Sequence, residues 1–197
     1  MSLAGSMASV VQDLQDAGVR FALVGGFAIG VHTEPRFTRD LDFAVAVSSD
    51  AEAEQLARTL HGRRYTTFAT VEQRRTGRLA TLRLWTPGDD FSRVAVDLLF
   101  ATCGIEPAIC ALAQRVEVVP GLSVPVAVVG HLVAMKLLSE DSDRARDTQD
   151  LTNLRAVATS ADIDLAREAV HTIVSLGTHR GKPLVELFEA WVGRASG

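Results

Sequence analysis

The sequence predicts an α/β (α+β) fold in which a sheet-forming half is followed by a helical half. Three apolar runs with the length of buried strands, at 21–24, 41–47 and 93–100, lie in the first half of the chain. From Gly130 onward the apolar residues recur with helical spacing only. We therefore divide the chain of 197 residues into a core at 8–128 and a C-terminal helical region at 129–193.

The individual elements follow from local pattern. A first helix carries apolar residues at helical spacing up to Ala17 and ends at Gly18. Further helices are predicted around 27–31, 53–60, 132–138, 147–154, 165–176 and 184–192. Strands are predicted at 21–24, 41–47, 65–71, 78–85, 93–100, 116–119 and 123–128, the last two joined by the turn residues Pro120 and Gly121.

Composition narrows the class of protein. Hydrophobic residues make up 47% and charged residues 22%, which excludes a largely disordered chain. A net charge of −4 argues against a strongly basic nucleic-acid coat, although a local basic groove stays open. Cys103 and Cys110 form no disulfide framework or zinc pattern and are expected to be packing residues. No apolar run approaches ~20 residues and no secretion signal is evident, so we expect a cytoplasmic protein without a membrane partner.

Two acids, Asp40 and Asp42, stand at the start of a predicted buried strand. Residues two apart on a strand project from one face, where two carboxylates repel each other unless a cation lies between them. Such a pair suits Mg²⁺, which prefers oxygen ligands and keeps room for phosphates. The plain alternative is a solvated strand start.

A third acid, Asp97, lies inside the apolar run Val94–Phe100. An unpaired charge in such a run is costly, so Asp97 needs a partner. Either it forms a salt bridge to an arginine, or it lies on a strand next to Asp40 and Asp42 and completes a metal cluster. Two metal ions about 4 Å apart could then clamp the attacking and leaving oxygens of a phosphoryl transfer.

A glycine pair, Gly25-Gly26, joins a predicted strand to a predicted helix. Glycines at a helix start allow a phosphate to approach the backbone, and the first N–H groups of the helix point towards the anion. A tight turn is the plain alternative. The combination of this turn with a paired-acid strand some 15 residues later is much more specific than either motif alone.

Together these motifs resemble the nucleotidyltransferase superfamily related to DNA polymerase beta. The stretch Val24 to Val45, with Asp97 downstream, follows its order of Gly-Gly, helix, Asp-x-Asp and later lone acid. The pattern Arg36-x-Thr38-x-Asp40-Leu41-Asp42 is similar to small bacterial members related to the abortive-infection (AbiEii-type) toxins. Lys136, followed by Arg144-x-Arg146-Asp147, resembles a lysine-then-Arg-Asp motif of that branch.

The resemblance implies a nucleotidyltransferase-like mixed sheet flanked by helices, and it assigns roles. Gly25 and Gly26 would contact the triphosphate of an NTP, and Lys136 would neutralise phosphate charge. Two Mg²⁺ ions would be held by Asp40, Asp42 and Asp97. Asp97 would also act as general base towards an acceptor hydroxyl.

Four further residues are assigned to nucleotide binding with less specific roles. Asp147 would orient Lys136 or touch the nucleotide, while Arg36, Thr38 and Arg39 would lie near the triphosphate. For Arg36, Arg39 and Lys136, an exposed or snorkelling charge is the alternative.

We therefore expect a Mg²⁺-dependent enzyme that transfers a nucleoside monophosphate from an NTP to an acceptor hydroxyl. The acceptor is open: tRNA or another RNA 3′ end, as for a toxin with an antitoxin partner, or a small molecule, as for aminoglycoside and lincosamide nucleotidyltransferases. The other classes are a non-catalytic nucleotide-binding or partner-binding module and a purely structural domain.

Overall fold

The computed structural model describes residues 3–35, 38–73, 77–89, 91–139 and 145–193. Its centre is a seven-stranded sheet with strand order β3-β4-β5-β2-β1-β7-β6. The strands are β1 (Arg20–Val24), β2 (Asp40–Ala46), β3 (Thr66–Glu72), β4 (Leu79–Trp85), β5 (Ala95–Leu99), β6 (Gln114–Val119) and β7 (Leu122–Val126). The pairs β1–β7 and β2–β5 are parallel and the other pairs antiparallel, so the expected mixed sheet is confirmed.

Eight helices are assigned within the described residues. They are α1 (Leu3–Asp16), α2 (Gly25–His32), α3 (Asp50–Gly62), α4 (Glu106–Leu112), α5 (Val129–Ser139), α6 (Ala145–Val157), α7 (Ser160–Ser175) and α8 (Leu184–Gly193). None of them is long and apolar enough to span a bilayer.

The buried apolar residues form one continuous core that includes both halves of the chain. Leu41 and Phe43 of β2 belong to the same cluster as Leu132 of α5 and Phe188 of α8. Helix α2 is the link, because it contacts β1 and β2 on one side and α5 and α6 on the other. The division at 128/129 stays a prediction about the chain.

Helix α4 was not predicted, because its start carries none of the usual capping residues. Instead its first residue, Glu106, is fully buried, and its carboxylate accepts hydrogen bonds from the Thr102 hydroxyl (2.6 Å) and from the backbone N–H groups of Cys103 and Gly104 (2.8 Å each). Pro107 in the first turn is the one sequence signal for this helix start, and a proline there is equally compatible with a turn. The expected helix cap at Ser142 or Asp143 lies outside the described residues.

Helices α5 and α7 pack so closely that one position admits only glycine. A Cβ on Gly130 would lie 2.5 Å from the backbone oxygen of Asp162 and 3.2 Å from the backbone nitrogen of Ala166. Both obstacles are main-chain atoms of the α7 region, which cannot rotate away as a side chain would. The close contact fixes where α5, and therefore Lys136, sits against the sheet.

We expect Gly130→Ala to destabilise the protein by about 1–3 kcal/mol, because the helices must separate to admit the methyl group. Gly62→Ala is the matched control, since Gly62 lies at the end of α3 with no heavy atom within 4 Å of an added Cβ. The control should stay within about 0.5 kcal/mol of the wild type. Urea unfolding measures both, and equal stability of the two variants would contradict the close packing.

Candidate active site

Acidic residues of two neighbouring strands lie side by side. β2 and β5 run parallel, and their register pairs Asp42 with Asp97 and Asp40 with Ala95. Residues paired across two strands share a face of the sheet, as do residues two apart along a strand. The structure therefore places the lone acid of β5 next to the Asp40-x-Asp42 pair, with the three carboxylates on one side of the sheet.

The surroundings of Asp42 disfavour the ionised form of its carboxyl group. Its pKa is raised from 3.8 to about 7, chiefly by burial and in addition by the negative charges of Asp97 and Asp40. Arg83 and Lys136 offset only part of this effect. Burial likewise raises the pKa of Asp97, against the opposing effect of its hydrogen bond with Arg83. The site thus concentrates negative charge that the chain itself does not neutralise.

Arg83, which the sequence reasoning did not single out, is the partner of Asp97. The antiparallel β4–β5 register sets Arg83 opposite Asp97, and its Nε donates to both carboxylate oxygens, at 2.9 and 3.0 Å. The salt bridge considered as an alternative for Asp97 is therefore present together with its position beside Asp42. Arg83 could have been found by the argument used for Asp97, since it is a charge within an alternating, largely apolar strand.

The carboxylate oxygens at this site are the kind of ligand that a divalent cation such as Mg²⁺ prefers. Within the described residues no group of three or more His, Cys, Asp or Glu side chains is arranged to hold a metal ion. Both oxygens of Asp97 accept from Arg83 Nε. The half-buried Asp42 carboxylate receives no hydrogen bond from the described part of the chain, and carboxylate oxygens are the ligands that Mg²⁺ prefers.

The glycine turn lies directly against the acids. Gly25 follows the last residue of β1, Val24, which pairs with Asp42 across the β1–β2 register. Gly25 has a φ of +65°, and a Cβ there would overlap the Asp42 carboxylate. Gly25 and Gly26 open α2, whose preceding residue makes no side-chain cap. The first N–H groups of this helix are therefore available to an anion beside the carboxylates.

Lys136 of α5 is held by two carboxylates of α6 rather than extended into solvent. Its Nζ lies 2.7 Å from Asp147 Oδ1 and 2.7 Å from Asp150 Oδ2. The three side chains are only 12%, 12% and 2% exposed, in that order. The snorkelling alternative is therefore wrong, and the structure brings Asp147 and Lys136 into the contact expected for an orienting residue.

Of the remaining predicted residues, Thr38 and Arg39 come directly before Asp40 in the chain. Thr38 and Arg39 do not line the pocket described below, and the Thr38 hydroxyl donates instead to the backbone oxygen of Asp40 (3.3 Å). Arg39 is exposed. Arg36 and Arg144 lie outside the described residues.

A pocket of about 930 Å³ joins these groups. Its walls include six predicted residues: Gly25, Gly26, Asp42, Asp97, Lys136 and Asp147. This volume lies within the range of small-molecule and cofactor sites.

The far wall of the pocket was not anticipated. Thr102 and Cys103, which follow β5, and Thr178 and Arg180, which follow α7, line it. The Thr178 hydroxyl donates to the Cys103 carbonyl oxygen at 2.6 Å, which ties the two turns together. Because these turns are 75 residues apart in the chain, no local sequence pattern brings them to one site.

Solved structures of nucleotidyltransferases share this fold. A nucleotidyltransferase-like antigenic protein from Paracoccidioides brasiliensis aligns over 93% of this chain and 90% of its own, with 19% identity and a TM-score of 0.50. MenT4, a nucleotidyltransferase toxin of Mycobacterium tuberculosis, aligns over 85% and 63%, with 16% identity and a TM-score of 0.50. The lincosamide antibiotic adenylyltransferase LnuA, solved with lincomycin, aligns over 78% and 97%, with 12% identity and a TM-score of 0.50.

The family comparison is more specific. No curated protein matches the chain significantly in sequence. A family described as "Nucleotidyl transferase AbiEii toxin, Type IV TA system" matches residues 11–190, which cover the sheet, the acidic strands and nearly all of the helical region. The chain therefore belongs to the AbiEii family of nucleotidyltransferase toxins.

Proposed function

We propose that the protein transfers a nucleoside monophosphate from an NTP to a hydroxyl group at the 3′ end of an RNA such as tRNA, in a Mg²⁺-dependent reaction. One observation carries the proposal: the half-buried carboxylates of Asp42 and Asp97 lie together, incompletely neutralised, against a glycine turn at a helix start. The AbiEii toxin family supports the choice of RNA over an antibiotic, and a cytoplasmic setting and an antitoxin partner belong to the same proposal.

The binding half of the reaction uses the glycine turn and the helical region. The N–H groups at the start of α2 would bind the triphosphate, because no side chain caps them. Lys136, fixed by Asp147 and Asp150, would present its ammonium group to the phosphates from the other side of the pocket. Holding the NTP between two fixed groups reduces the loss of entropy at the reacting step.

The chemical half uses the acids. Asp40, Asp42 and Asp97 would hold the metal ions, and bound Mg²⁺ would supply charge neutralisation at the phosphoryl oxygens. Asp97 would accept the proton of the acceptor hydroxyl, since its pKa is raised by burial and it lines the pocket. Once the nucleotide is bound, these charges would be in place before the reacting step, which suits phosphoryl transfer.

Asp42→Asn is expected to stabilise the metal-free protein, because it removes a charge that the fold disfavours. The increase in the Asp42 pKa from 3.8 to about 7 corresponds to at most ~4 kcal/mol against the ionised form, at about 1.4 kcal/mol per pH unit. At about pH 8 with a chelator, thermal unfolding should shift upward by several degrees.

The same variant should lose the stabilisation that Mg²⁺ and NTP together give to the wild type. Asp164→Asn is the control, since Asp164 lies exposed on α7 in an ion pair with Arg167 and should change neither quantity. A destabilised Asp42→Asn protein that keeps the full Mg²⁺ and NTP shift would contradict the proposed site.

The acceptor is tested by incubating the protein with α-phosphate-labelled NTPs and either total tRNA or a panel of aminoglycosides and lincosamides. We expect label at RNA 3′ ends and none on the antibiotics, with Asp97→Asn reducing the rate at least about a hundredfold. Label on an antibiotic would keep the chemistry and reject the acceptor. No label on either class, with NTP bound, would reject both and favour a nucleotide-binding role.

A further inference from the structure

A single row of residues crosses three strands of the sheet at the site. The registers pair Arg83 of β4 with Asp97 of β5, and Asp97 with Asp42 of β2. A cation, an anion and a second anion therefore lie next to one another on one face. Asp97 is shared: it neutralises Arg83 on one side and repels Asp42 on the other.

The pairing of Arg83 with Asp97 competes with any cation between the two aspartates. The Nε atom of Arg83 donates to both Asp97 oxygens, and the Asp97 side chain is only 15% exposed. A carboxylate whose charge is already balanced by a guanidinium in this setting attracts a metal ion less strongly, because the guanidinium and the metal ion repel each other. In this arrangement the described residues offer no metal-holding group, although the acids are adjacent.

Arg83 also keeps unused donors at the pocket. Only its Nε is engaged, and its terminal nitrogens donate no hydrogen bond to any described residue. The side chain is 38% exposed and lines the pocket. A guanidinium with free terminal nitrogens recognises a phosphate through two parallel hydrogen bonds.

The Arg83 guanidinium lies against a pair of stacked aromatic rings. The Arg83 guanidinium carbon lies 5.2 Å from the ring centre of Phe68, which in turn stacks on Trp85 at 4.6 Å. Phe68 lies at a register shift between β3 and β4, where an extra residue redirects a side chain. A cation–π contact holds a guanidinium without fixing its hydrogen bonds, so Arg83 can change partners while it stays on the ring.

We propose that Arg83 is a positioning residue that occupies Asp97 in the empty enzyme and releases it when a phosphate of the bound nucleotide takes over the guanidinium. This inference rests on the proposed function. The cation site between Asp42 and Asp97 is then completed only after the nucleotide has bound. Nucleotide and divalent cation therefore bind with positive coupling, part of which is transmitted by Arg83.

The test measures Mn²⁺ affinity by electron paramagnetic resonance, with and without a saturating non-hydrolysable NTP analogue. The affinity of the analogue itself for Mn²⁺ is measured separately and accounted for. The wild type should bind Mn²⁺ weakly alone and much more tightly with the analogue. Arg83→Met should bind Mn²⁺ alone at least about tenfold more tightly than the wild type, because Asp97 is no longer occupied.

The coupling factor, the ratio of the two Mn²⁺ dissociation constants, should shrink in the variant by at least about the same tenfold. Arg83→Gln is the second variant, because its amide can still donate to Asp97 without a positive charge; it should change both quantities in the same direction. Arg78→Met is the matched control, since Arg78 is similarly exposed but pairs with Asp50.

Three outcomes decide the matter. Tighter Mn²⁺ binding and weaker coupling in both Arg83 variants, with wild-type values in Arg78→Met, support the inference. Wild-type affinity and coupling in a folded Arg83 variant would overturn it and reduce Arg83 to a strand-pairing salt bridge, leaving the proposed function intact. A wild-type protein that binds neither Mn²⁺ nor the NTP analogue would overturn the proposed function and this inference with it.

Discussion

The repulsion between the carboxylates of Asp42 and Asp97 is the constraint on which the site depends. The parallel pairing of β2 with β5 brings the two groups together at a half-buried position, where partial burial and mutual charge oppose the ionisation of Asp42. A fold optimised for stability alone would not place them so. Arg83 and Lys136 offset part of this electrostatic cost, and a bound cation would offset the rest.

The surrounding elements are arranged around that charge. On one side the turn at Gly25 approaches so closely that no side chain fits between the backbone and Asp42. On the other side α5 brings Lys136 to the pocket, fixed by Asp147 of α6. Cationic and N–H groups thus face the acids from both halves of the chain, which links the single hydrophobic core to the geometry of the site.

Much of this arrangement could be predicted from local sequence, for a physical reason. A charge in an apolar strand is unfavourable without a partner, and so are two acids at a strand start. A glycine pair before a helix allows a phosphate to approach the backbone. Asp97, Asp42 and Gly25 could therefore be singled out from the sequence. The strand order and the β2–β5 register could not be derived in this way, since they depend on contacts far apart in the chain. The fold class was correct, as was the family resemblance.

The features that escaped prediction did so for different reasons. Arg83 is a charge within a largely apolar strand, but its partner is identified only once β4 is placed beside β5. Helix α4 begins at Glu106, whose buried carboxylate binds the preceding turn rather than forming a familiar cap. The wall formed by Thr102 and Thr178 requires two turns from distant parts of the chain. Hydrogen bonds between such distant turns follow no periodic sequence pattern, so the sequence does not predict them.

The most direct measurement is a crystal structure of the protein with Mn²⁺ and a non-hydrolysable NTP, using the anomalous signal of manganese. We expect anomalous density between the carboxylates of Asp42 and Asp97, with the triphosphate against Gly25 and Gly26. Manganese bound elsewhere, with Asp97 still held by Arg83 and the triphosphate away from the glycine turn, would contradict it.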